Sequence, residues 1–324
     1  MLKKALSTVA VAAMTMSAGF AMAAEKWDMA TPYPDATFHT QNIIEFAKDV
    51  KEATGGELEI TVHSGGSLFK HPDIKRSVQR GLVPAGETLI SLLANEDPVY
   101  GVDAIPFLAT SYDEAKKLWE ASRPAVEEKL AADGLKVLYA VAWPAQGLYT
   151  AKPVNTVEDL KGLKFRAYNA ATSKLADLTG MVGTQVEVPE IPTAFATGIV
   201  EAMMTSPSTG ANSKAWDFVE NFYDVQAWLP KNMVIVNAKS FDGLSLEVQQ
   251  AVMDAAAKAE TRGWEMSMAE TDAQKKVLAD NGMNVAAPSD ELKAGLAKVG
   301  EQMVADWQAE AGDTGAAIID AFKK

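Results

Sequence analysis

Apolar and polar positions along the chain alternate between two patterns, one with the period of a β-strand and one with the period of an α-helix. Alternation with a period of two predicts short strands at residues 27–30, 58–62 and Leu135–Ala142. Apolar positions three and four residues apart predict helices between the strands, beginning with Phe38–Ala53. Strands interleaved with helices of this length indicate an α/β fold with mostly parallel pairing.

The C-terminal third of the chain is predicted to be helical. Residues 245–280 contain few helix breakers and would span roughly 54 Å at ~1.5 Å per residue, which is longer than one lobe needs. We therefore expect this helix to brace two lobes, with Gly263 marking a bend. A second helix, from residue 290, is predicted to end near Gly312. Upstream, Ser111 and Glu114 form a capping box that opens another helix.

Two segments of the chain, 71–83 and 188–200, repeat one pattern at a constant offset. Both place Pro, an acidic residue and Ile at a helix start, then Gly, then two aliphatic residues that open a strand. Two unrelated helix-to-strand units could converge on these common choices. The alternative is two lobes of similar build, whose strand ends would face a shared cleft where small ligands usually bind.

The first 23 residues have the features of a secretory signal peptide. Lys3 and Lys4 precede an uncharged apolar run, and the small-residue sequence Ala21-Met22-Ala23 then offers a cleavage site. We therefore expect a periplasmic protein. No other apolar stretch is long enough to span a bilayer, so direct membrane insertion is not expected.

Composition narrows the class of protein. The chain has 324 residues, a formal net charge of −13 and no cysteine. An acidic surface disfavours nucleic acid and anionic lipid as partners. Without cysteine, a hydrophobic core rather than disulfides must stabilise the fold.

We expect a first lobe of residues 24–144 and 231–270, and a second lobe of residues 145–230 and 271–324.

Arg166 stands out among the predicted strands. In Gly162-Leu-Lys-Phe-Arg-Ala-Tyr-Asn169 the apolar residues alternate with polar ones, and a helix is predicted at Ala170–Thr179. Arg cannot lose its proton, so a buried Arg166 needs an anionic partner. That partner is either an acidic residue of the protein or a ligand in the cleft, where the following helix N-terminus adds positive potential.

Other candidates for ligand contact lie near predicted strand ends. Glu87 would accept hydrogen bonds from a ligand hydroxyl or ammonium, unless it forms an internal salt bridge. The repeat aligns Glu87 with Met204, so Thr205 and Ser206 would also face the cleft. The remaining candidates are aromatic or polar residues near the same edge: Phe38, His39, Trp143, Tyr168 and Asn169.

Catalytic and metal-binding signatures are not found in the sequence. It contains no nucleophile elbow, phosphate loop, dinucleotide fingerprint or His-Glu-x-x-His motif. The three histidines fit no common metal pattern. Met266 and Met268 point to different sides of a helix, so they would not bind one copper ion together, and we expect them to pack in the core. We therefore expect no cofactor, no metal and no catalytic residue.

Several motifs in one order resemble the DctP-type solute-binding proteins of TRAP transporters, across essentially the whole mature chain. These motifs are Gly65-Gly66-Ser67-Leu68, Ile105-Pro-Phe-Leu108, Val157-Glu-Asp-Leu-Lys-Gly-Leu-Lys-Phe-Arg166 and Ala194-Phe-Ala-Thr-Gly-Ile-Val-Glu201. The resemblance implies a two-lobed periplasmic binding protein fold, with a ligand cleft between the lobes and a long helix bridging both.

The same resemblance implies a function. It makes Arg166 the residue that forms a salt bridge with the carboxylate of a small organic acid, which the protein would deliver to TRAP membrane subunits. Many members carry a second Arg where this chain has Trp143-Pro-Ala-Gln-Gly147, and an Asn where it has Met203-Met-Thr-Ser-Pro207. A single cationic anchor favours a monocarboxylate over a dicarboxylate. Trp143, Phe38 and Tyr168 leave room for an aromatic or keto acid, and Glu87 for a hydroxy or sugar acid.

Two other functions are compatible with the sequence. An exported enzyme that handles carboxylates would need two acidic residues in the cleft, and only Glu87 is a candidate. A stand-alone ligand sensor would have a similar sequence. We expect a monomer that performs no covalent chemistry.

Overall fold

The computed structural model describes residues 24–324, and the predicted signal peptide, residues 1–23, lies outside this range. The chain forms two lobes, each built around a twisted sheet. The first sheet has the strand order β2-β1-β3-β10-β4. Its strands are β1 (Glu25–Ala30), β2 (Leu58–His63), β3 (Ala85–Leu89), β4 (Leu135–Ala142) and β10 (Lys231–Asn237), and its helices are α1 (Phe38–Ala53), α2 (His71–Gln79), α3 (Tyr112–Ala132) and α7 (Ala238–Asp242).

The second sheet has the strand order β11-β9-β5-β8-β6-β7. Its strands are β5 (Gly147–Thr150), β6 (Lys164–Ala167), β7 (Val182–Gln185), β8 (Ala202–Thr205), β9 (Asn221–Tyr223) and β11 (Asn284–Ala286). The shorter helices of this lobe are α4 (Ala170–Thr179), α5 (Ile191–Ala196) and α6 (Pro207–Asn212). The predicted α/β class with two lobes is confirmed.

The pairing is mixed rather than mostly parallel. β1 pairs in parallel with β2 and β3, and β6 pairs in parallel with β7 and β8, as expected when a helix connects neighbouring strands. β10 runs antiparallel between β3 and β4, and β5 runs antiparallel between β8 and β9. These two are the first strands that the chain forms after it crosses from one lobe to the other.

The predicted long helix is α8 (Leu246–Asp280), and it contacts both lobes. It packs on α1 and β4 of the first lobe and on α6 and β11 of the second. α8 is one continuous helix through Gly263, and the predicted bend there stays a prediction. A Cβ atom at Gly263 would lie 2.4 Å from Cγ2 of Val141 and 2.6 Å from Nδ2 of Asn42, so the glycine lets the helix approach the first lobe closely.

The last helix, α9 (Asp290–Lys323), continues past its predicted end at Gly312. Gly312 leaves the helical region with a φ of 55°, and the chain then resumes a helix to Lys323. α9 packs on α3 and on the segment 98–104 of the first lobe, and also on α4 of the second. It thus contacts both lobes, and the predicted lobe boundaries stay a prediction.

The two repeated segments occupy corresponding places in the two lobes. Segment 71–83 contains α2 and leads into β3, and segment 188–200 contains α5 and leads into β8. β3 pairs in parallel with β1, and β8 pairs in parallel with β6, so each unit adds a parallel strand inside its own sheet. This arrangement is the one expected of two lobes of similar build.

Candidate ligand-binding site

A small cavity lies between the two lobes. It is lined at strand ends and in the segments that connect the lobes, where the topology of α/β sheets places ligands. The lining residues are Tyr33, Leu89 and Trp143 from the first lobe, Arg166, Tyr168, Val188, Thr205 and Thr209 from the second, and Gln146 and Pro230 from the crossing segments. Four residues predicted from the sequence are therefore brought together here: Trp143, Arg166, Tyr168 and Thr205.

Arg166 is buried on β6, which lies between β8 and the edge strand β7 of the second lobe's sheet, with only 2% of its surface exposed. Its Nε donates to the carbonyl oxygen of Val186 at 3.0 Å, and the guanidinium carbon lies 5.0 Å from the centre of the Tyr168 ring. Within residues 24–324 no carboxylate lies within 4.0 Å of the guanidinium nitrogens. One edge of the guanidinium is thus held by the protein, and the fork has no internal anionic partner in the described chain.

Electrostatics at the site are dominated by this single cation. Burial lowers the pKa of Arg166, while the fields of Tyr168 and Glu187 raise it. Nearby, burial and the charge of Arg166 lower the pKa of His71 to about 3, so His71 is neutral at physiological pH. Arg166 is the one charged residue among those that line the described cavity. Such a site favours an anion that carries no further charge.

The first lobe's wall is held by a hydrogen-bond network centred on Asn232 of β10. Oδ1 of Asn232 accepts from Nε1 of Trp143 at 3.0 Å and from the hydroxyl of Tyr33 at 3.3 Å. Nδ2 of Asn232 donates to Oε1 of Glu87 at 2.7 Å. Glu87 also accepts from the hydroxyl of Thr31. Through Asn232, Glu87 is connected to two side chains that line the cavity, although it does not line the cavity itself.

Glu87 lies behind the wall together with His39 and Phe38. Nδ1 of His39 is 3.4 Å from Oε1 of Glu87, and its ring packs 4.1 Å from the Phe38 ring and 4.3 Å from the Trp143 ring. Burial raises the pKa of Glu87 to about 7, although the hydrogen bonds from Thr31 and Asn232 lower it. Burial lowers the pKa of His39 well below its ordinary value. These three predicted site residues therefore lie behind the cavity lining and support the side chains that form it.

Asn169 and Ser206 hold the starts of two helices beside the cavity. The side chain of Asn169 accepts from the backbone N–H of Thr172 at the N-terminus of α4, and its Nδ2 donates to Oγ of Ser91 at 2.8 Å. Ser206 accepts from the backbone N–H of Thr209 at the N-terminus of α6 and donates to its hydroxyl at 3.1 Å. Ser91 belongs to the first lobe, so the Asn169 side chain also ties the lobes together.

Sequence reasoning did not select the other lining residues. Tyr33 and Leu89 lie at or just after the ends of β1 and β3, and Thr209 follows the cap residue Ser206 by three positions. Gln146 lies in the segment that was considered only for a missing Arg, and its Oε1 accepts from the Tyr168 hydroxyl at 3.3 Å. Their position near strand ends was the only feature of the sequence that could have indicated them. Many residues near strand ends do not contact a ligand, so this feature does not select them.

Two lobes that enclose a small cavity with one buried, unpaired cation define a ligand-binding protein. Within residues 24–324 no helix is both long and apolar enough to cross a membrane. The described chain also contains no group of three or more side chains that could hold a metal ion.

Residues 29–310 match the model of the family DctP, described as bacterial extracellular solute-binding protein, family 7. The match extends over most of the chain, and the chain belongs to this family. The family and the similar structures are binding proteins rather than enzymes.

Several solved structures are similar over nearly the whole chain. DctP6 of Bordetella pertussis, an extracytoplasmic solute receptor binding pyroglutamic acid, is 47% identical with a TM-score of 0.91, and the match covers 92% of this chain and 99% of that one. DctP7 of the same organism, also binding pyroglutamic acid, is 48% identical with a TM-score of 0.92, over 93% and 100% of the two chains.

A third similar structure comes from a marine metagenome. It is a TRAP solute-binding protein specific for pyroglutamate, in complex with co-purified pyroglutamate. It is 43% identical with a TM-score of 0.92, and the match covers 93% of this chain and 99% of that one.

Proposed function

We propose that this protein is a periplasmic receptor that closes on a small monocarboxylate, that the ligand is pyroglutamate, and that it delivers this ligand to TRAP membrane subunits. The observation that carries the proposal is the buried guanidinium of Arg166, which lacks a carboxylate partner within residues 24–324 and lines the cavity. A planar guanidinium fork matches a carboxylate through two parallel hydrogen bonds. The pyroglutamate bound by three relatives of 43% to 48% identity supports the choice of ligand.

The charge of the cavity supports pyroglutamate against related amino acids. Pyroglutamate carries one negative charge, because its ring nitrogen is part of a neutral amide. Proline and glutamate each carry an ammonium group as well, and no carboxylate lines the described cavity to accept it. Burying an unpaired ammonium costs several kcal/mol. We therefore expect the cavity to discriminate against zwitterions.

The same site supports a receptor that binds its ligand without altering it. The described cavity lining contains no acidic residue and no histidine, so a carboxylate-handling enzyme lacks its acid and base there. We propose that the ligand is released unchanged. Recovery of intact pyroglutamate after prolonged incubation, measured by NMR, is the expected result, and the appearance of glutamate would overturn this part of the proposal.

Isothermal titration calorimetry on the mature protein, from Ala24 onward, tests the ligand and its anchor. L-pyroglutamate should bind with micromolar or tighter affinity, about −8 kcal/mol or better, while L-proline and L-glutamate should bind far more weakly. Arg166→Met should lower the affinity by at least about 30-fold, because it removes a desolvated charge pair worth ~2 to 5 kcal/mol. Arg166→Lys should recover only part of the loss.

The matched control is Lys164→Met on the same strand, since Lys164 is exposed. This variant should bind as the unmodified protein does. If Arg166→Met keeps full affinity for pyroglutamate, Arg166 is not the anchor. If no monocarboxylate binds the unmodified protein, the proposed ligand class is wrong.

A further inference from the structure

The orientation of the Asn232 amide is fixed by its neighbours. An indole N–H can only donate a hydrogen bond, and Nε1 of Trp143 lies 3.0 Å from the amide of Asn232. The atom that it meets must therefore be the carbonyl oxygen, Oδ1. The amide nitrogen then faces Oε1 of Glu87 at 2.7 Å, where a carboxylate oxygen accepts. Both ends of the amide lead to the same assignment, so it does not depend on the protonation of Glu87.

This orientation decides what Tyr33 can offer to a ligand. The Tyr33 hydroxyl lies 3.3 Å from Oδ1 of Asn232, which has no hydrogen to give, so Tyr33 must be the donor of that bond. A phenol has only one hydrogen. Once it points to Asn232, the oxygen of Tyr33 retains only lone pairs, and no donor within residues 24–324 uses them. Tyr33 lines the cavity and is therefore an acceptor there.

The second lobe's wall contributes several hydrogen-bond donors to the cavity. Arg166 carries only donors. The Thr209 hydroxyl accepts from Ser206 at 3.1 Å, which leaves its own hydrogen free to donate. The Thr205 hydroxyl has no hydrogen-bond partner in the described chain and lines the same cavity. Tyr168 of the second lobe donates to Gln146 at 3.3 Å and so, like Tyr33, keeps only lone pairs. The cavity thus offers donors from Arg166 and the two threonines of the second lobe, and the first lobe contributes an acceptor, Tyr33.

From this distribution we infer that Tyr33, oriented by Asn232 and Glu87, accepts a hydrogen bond from a ligand N–H and makes the receptor selective for cyclic amides. The threonine hydroxyls would donate to the amide carbonyl, and Arg166 would bind the carboxylate. Asn232 and Glu87 act as positioning residues that never touch the ligand. The inference rests on the proposed function, since it assumes a monocarboxylate bound at Arg166.

A pair of ligands that differ only at the ring nitrogen tests the inference. In 3-oxocyclopentane-1-carboxylate a CH₂ group replaces the N–H of pyroglutamate, while the carboxylate and the carbonyl stay in place. The ratio of the two dissociation constants, from calorimetry, isolates the N–H contact. We expect the unmodified protein to prefer pyroglutamate by about tenfold or more, because the analogue leaves a buried acceptor unpaired. A ratio near one would overturn the inference, whereas failure of both ligands to bind would contradict the proposed function instead.

Two variants locate the origin of the preference. Tyr33→Phe should bring the ratio to within about threefold of one, because the acceptor is gone, whatever it does to the separate affinities. Asn232→Leu should lower the ratio as well, because the Tyr33 hydroxyl becomes free to turn its hydrogen into the cavity. A ratio that is unchanged in Tyr33→Phe would overturn the assignment of Tyr33, even if Asn232→Leu does not fold.

The matched control is Tyr139→Phe in the same lobe. The Tyr139 hydroxyl is buried in β4 without a hydrogen-bond partner in the described chain, and Tyr139 does not line the cavity. This variant removes the same atom from the same type of residue and should leave the ratio unchanged. A reduced ratio in Tyr139→Phe would show that the preference reflects general packing of the lobe.

Discussion

Arg166 and Glu87 are both ionisable side chains in the interior, but burial affects their charge differently. Arg166 keeps its proton, so an anion must offset its burial; within residues 24–324 Glu187 acts on it only through its field, and no carboxylate lies within 4.0 Å of the guanidinium. Glu87 can take up a proton, and burial raises its pKa to about 7. The first residue therefore depends on a ligand, whereas the second can adjust without one.

The substitution Glu87→Gln tests this difference through the pH dependence of stability. The pKa of Glu87 is about 7 in the folded protein against an ordinary 4.5. Between these values the folded state binds a proton that the unfolded state has released, so Glu87's contribution to stability falls as pH rises through this window. A shift of this size corresponds to roughly 3 kcal/mol. Relative to the unmodified protein, Glu87→Gln should therefore gain unfolding free energy from pH 5 to about pH 7 and level off by pH 8.

Urea unfolding at pH 5, 6, 7 and 8 measures the difference. The buried histidines His39 and His71, whose pKa values burial lowers, titrate in both proteins and largely cancel. Glu57→Gln, at an exposed position, is the matched control and should show no such trend. Parallel stability curves for Glu87→Gln and the unmodified protein would show that Glu87 remains ionised across the range.

The sequence predicted some cavity residues but not their exact roles. Strand alternation and the permanent charge of a buried Arg led to Arg166, and position after a strand end led to Trp143. Glu87 was predicted to contact the ligand, because sequence reveals that a carboxylate is buried but not what lies between it and the cavity. Asn232 fills that space from a strand some 145 residues away in sequence, a separation that no local pattern reveals.

At the scale of elements, Gly263 shows how tertiary packing overrides helix propensity. A glycine in a helix interior costs about 1 kcal/mol relative to alanine, and from sequence it was expected to mark a bend. The structure gives it another role, because α8 crosses β4 and α1 at a distance that leaves no room for a Cβ atom. Close contact along this helix is part of how one element holds both lobes.

Gly263→Ala should therefore destabilise the protein despite its better helix propensity. The added methyl would sit 2.4 Å from Cγ2 of Val141, and overpacking of this kind costs ~1 to 3 kcal/mol. Val141→Ala removes the opposing methyl groups, so Gly263→Ala should cost clearly less in that background. Urea unfolding of the four proteins gives the coupling energy. Equal costs in both backgrounds would show that the contact with Val141 is not the cause.

Element boundaries were predictable where local chemistry sets them. The Ser111 and Glu114 capping box opens α3 as expected, with both hydrogen bonds present. Gly312 interrupts α9 at the predicted place, but the helix resumes, because contacts of residues such as Ile318 with the core stabilise the last turns. The antiparallel direction of β10 was not predictable, since it depends on the path of the chain between lobes rather than on its own residues.

At the scale of the whole molecule, the described chain crosses between the lobes three times before it reaches α9, which also contacts both lobes. Two of these crossings are extended segments that pair with each other through backbone hydrogen bonds, among them Trp143 N–H to the Pro230 oxygen and Gln146 N–H to the Trp228 oxygen. The third is α8. Paired crossing strands of this kind can act as a hinge while each lobe stays rigid. The contacts that face each other across the cleft then decide how readily the lobes close.

The hydrogen bond between Asn169 and Ser91 is such a contact, and Ser91→Ala tests its role. Nδ2 of Asn169 donates to the Ser91 hydroxyl at 2.8 Å, and both residues are buried. Without this acceptor, closing the lobes would bury the Asn169 amide unpaired, at a cost of ~1 to 3 kcal/mol that an open form avoids through water. Ser91→Ala should therefore weaken pyroglutamate binding by about tenfold, although Ser91 does not line the cavity.

Small-angle X-ray scattering along a pyroglutamate titration separates closure from direct binding. The radius of gyration should fall on ligand addition, and in Ser91→Ala the fall should require correspondingly more ligand. Ser122→Ala is the matched control, since Ser122 is similarly buried but donates to the backbone oxygens of Leu118 and Trp119 within its own helix, α3. If Ser91→Ala closes at the same ligand concentration as the unmodified protein, the Asn169 contact does not favour the closed form, and Arg166 must draw the lobes together through the ligand alone.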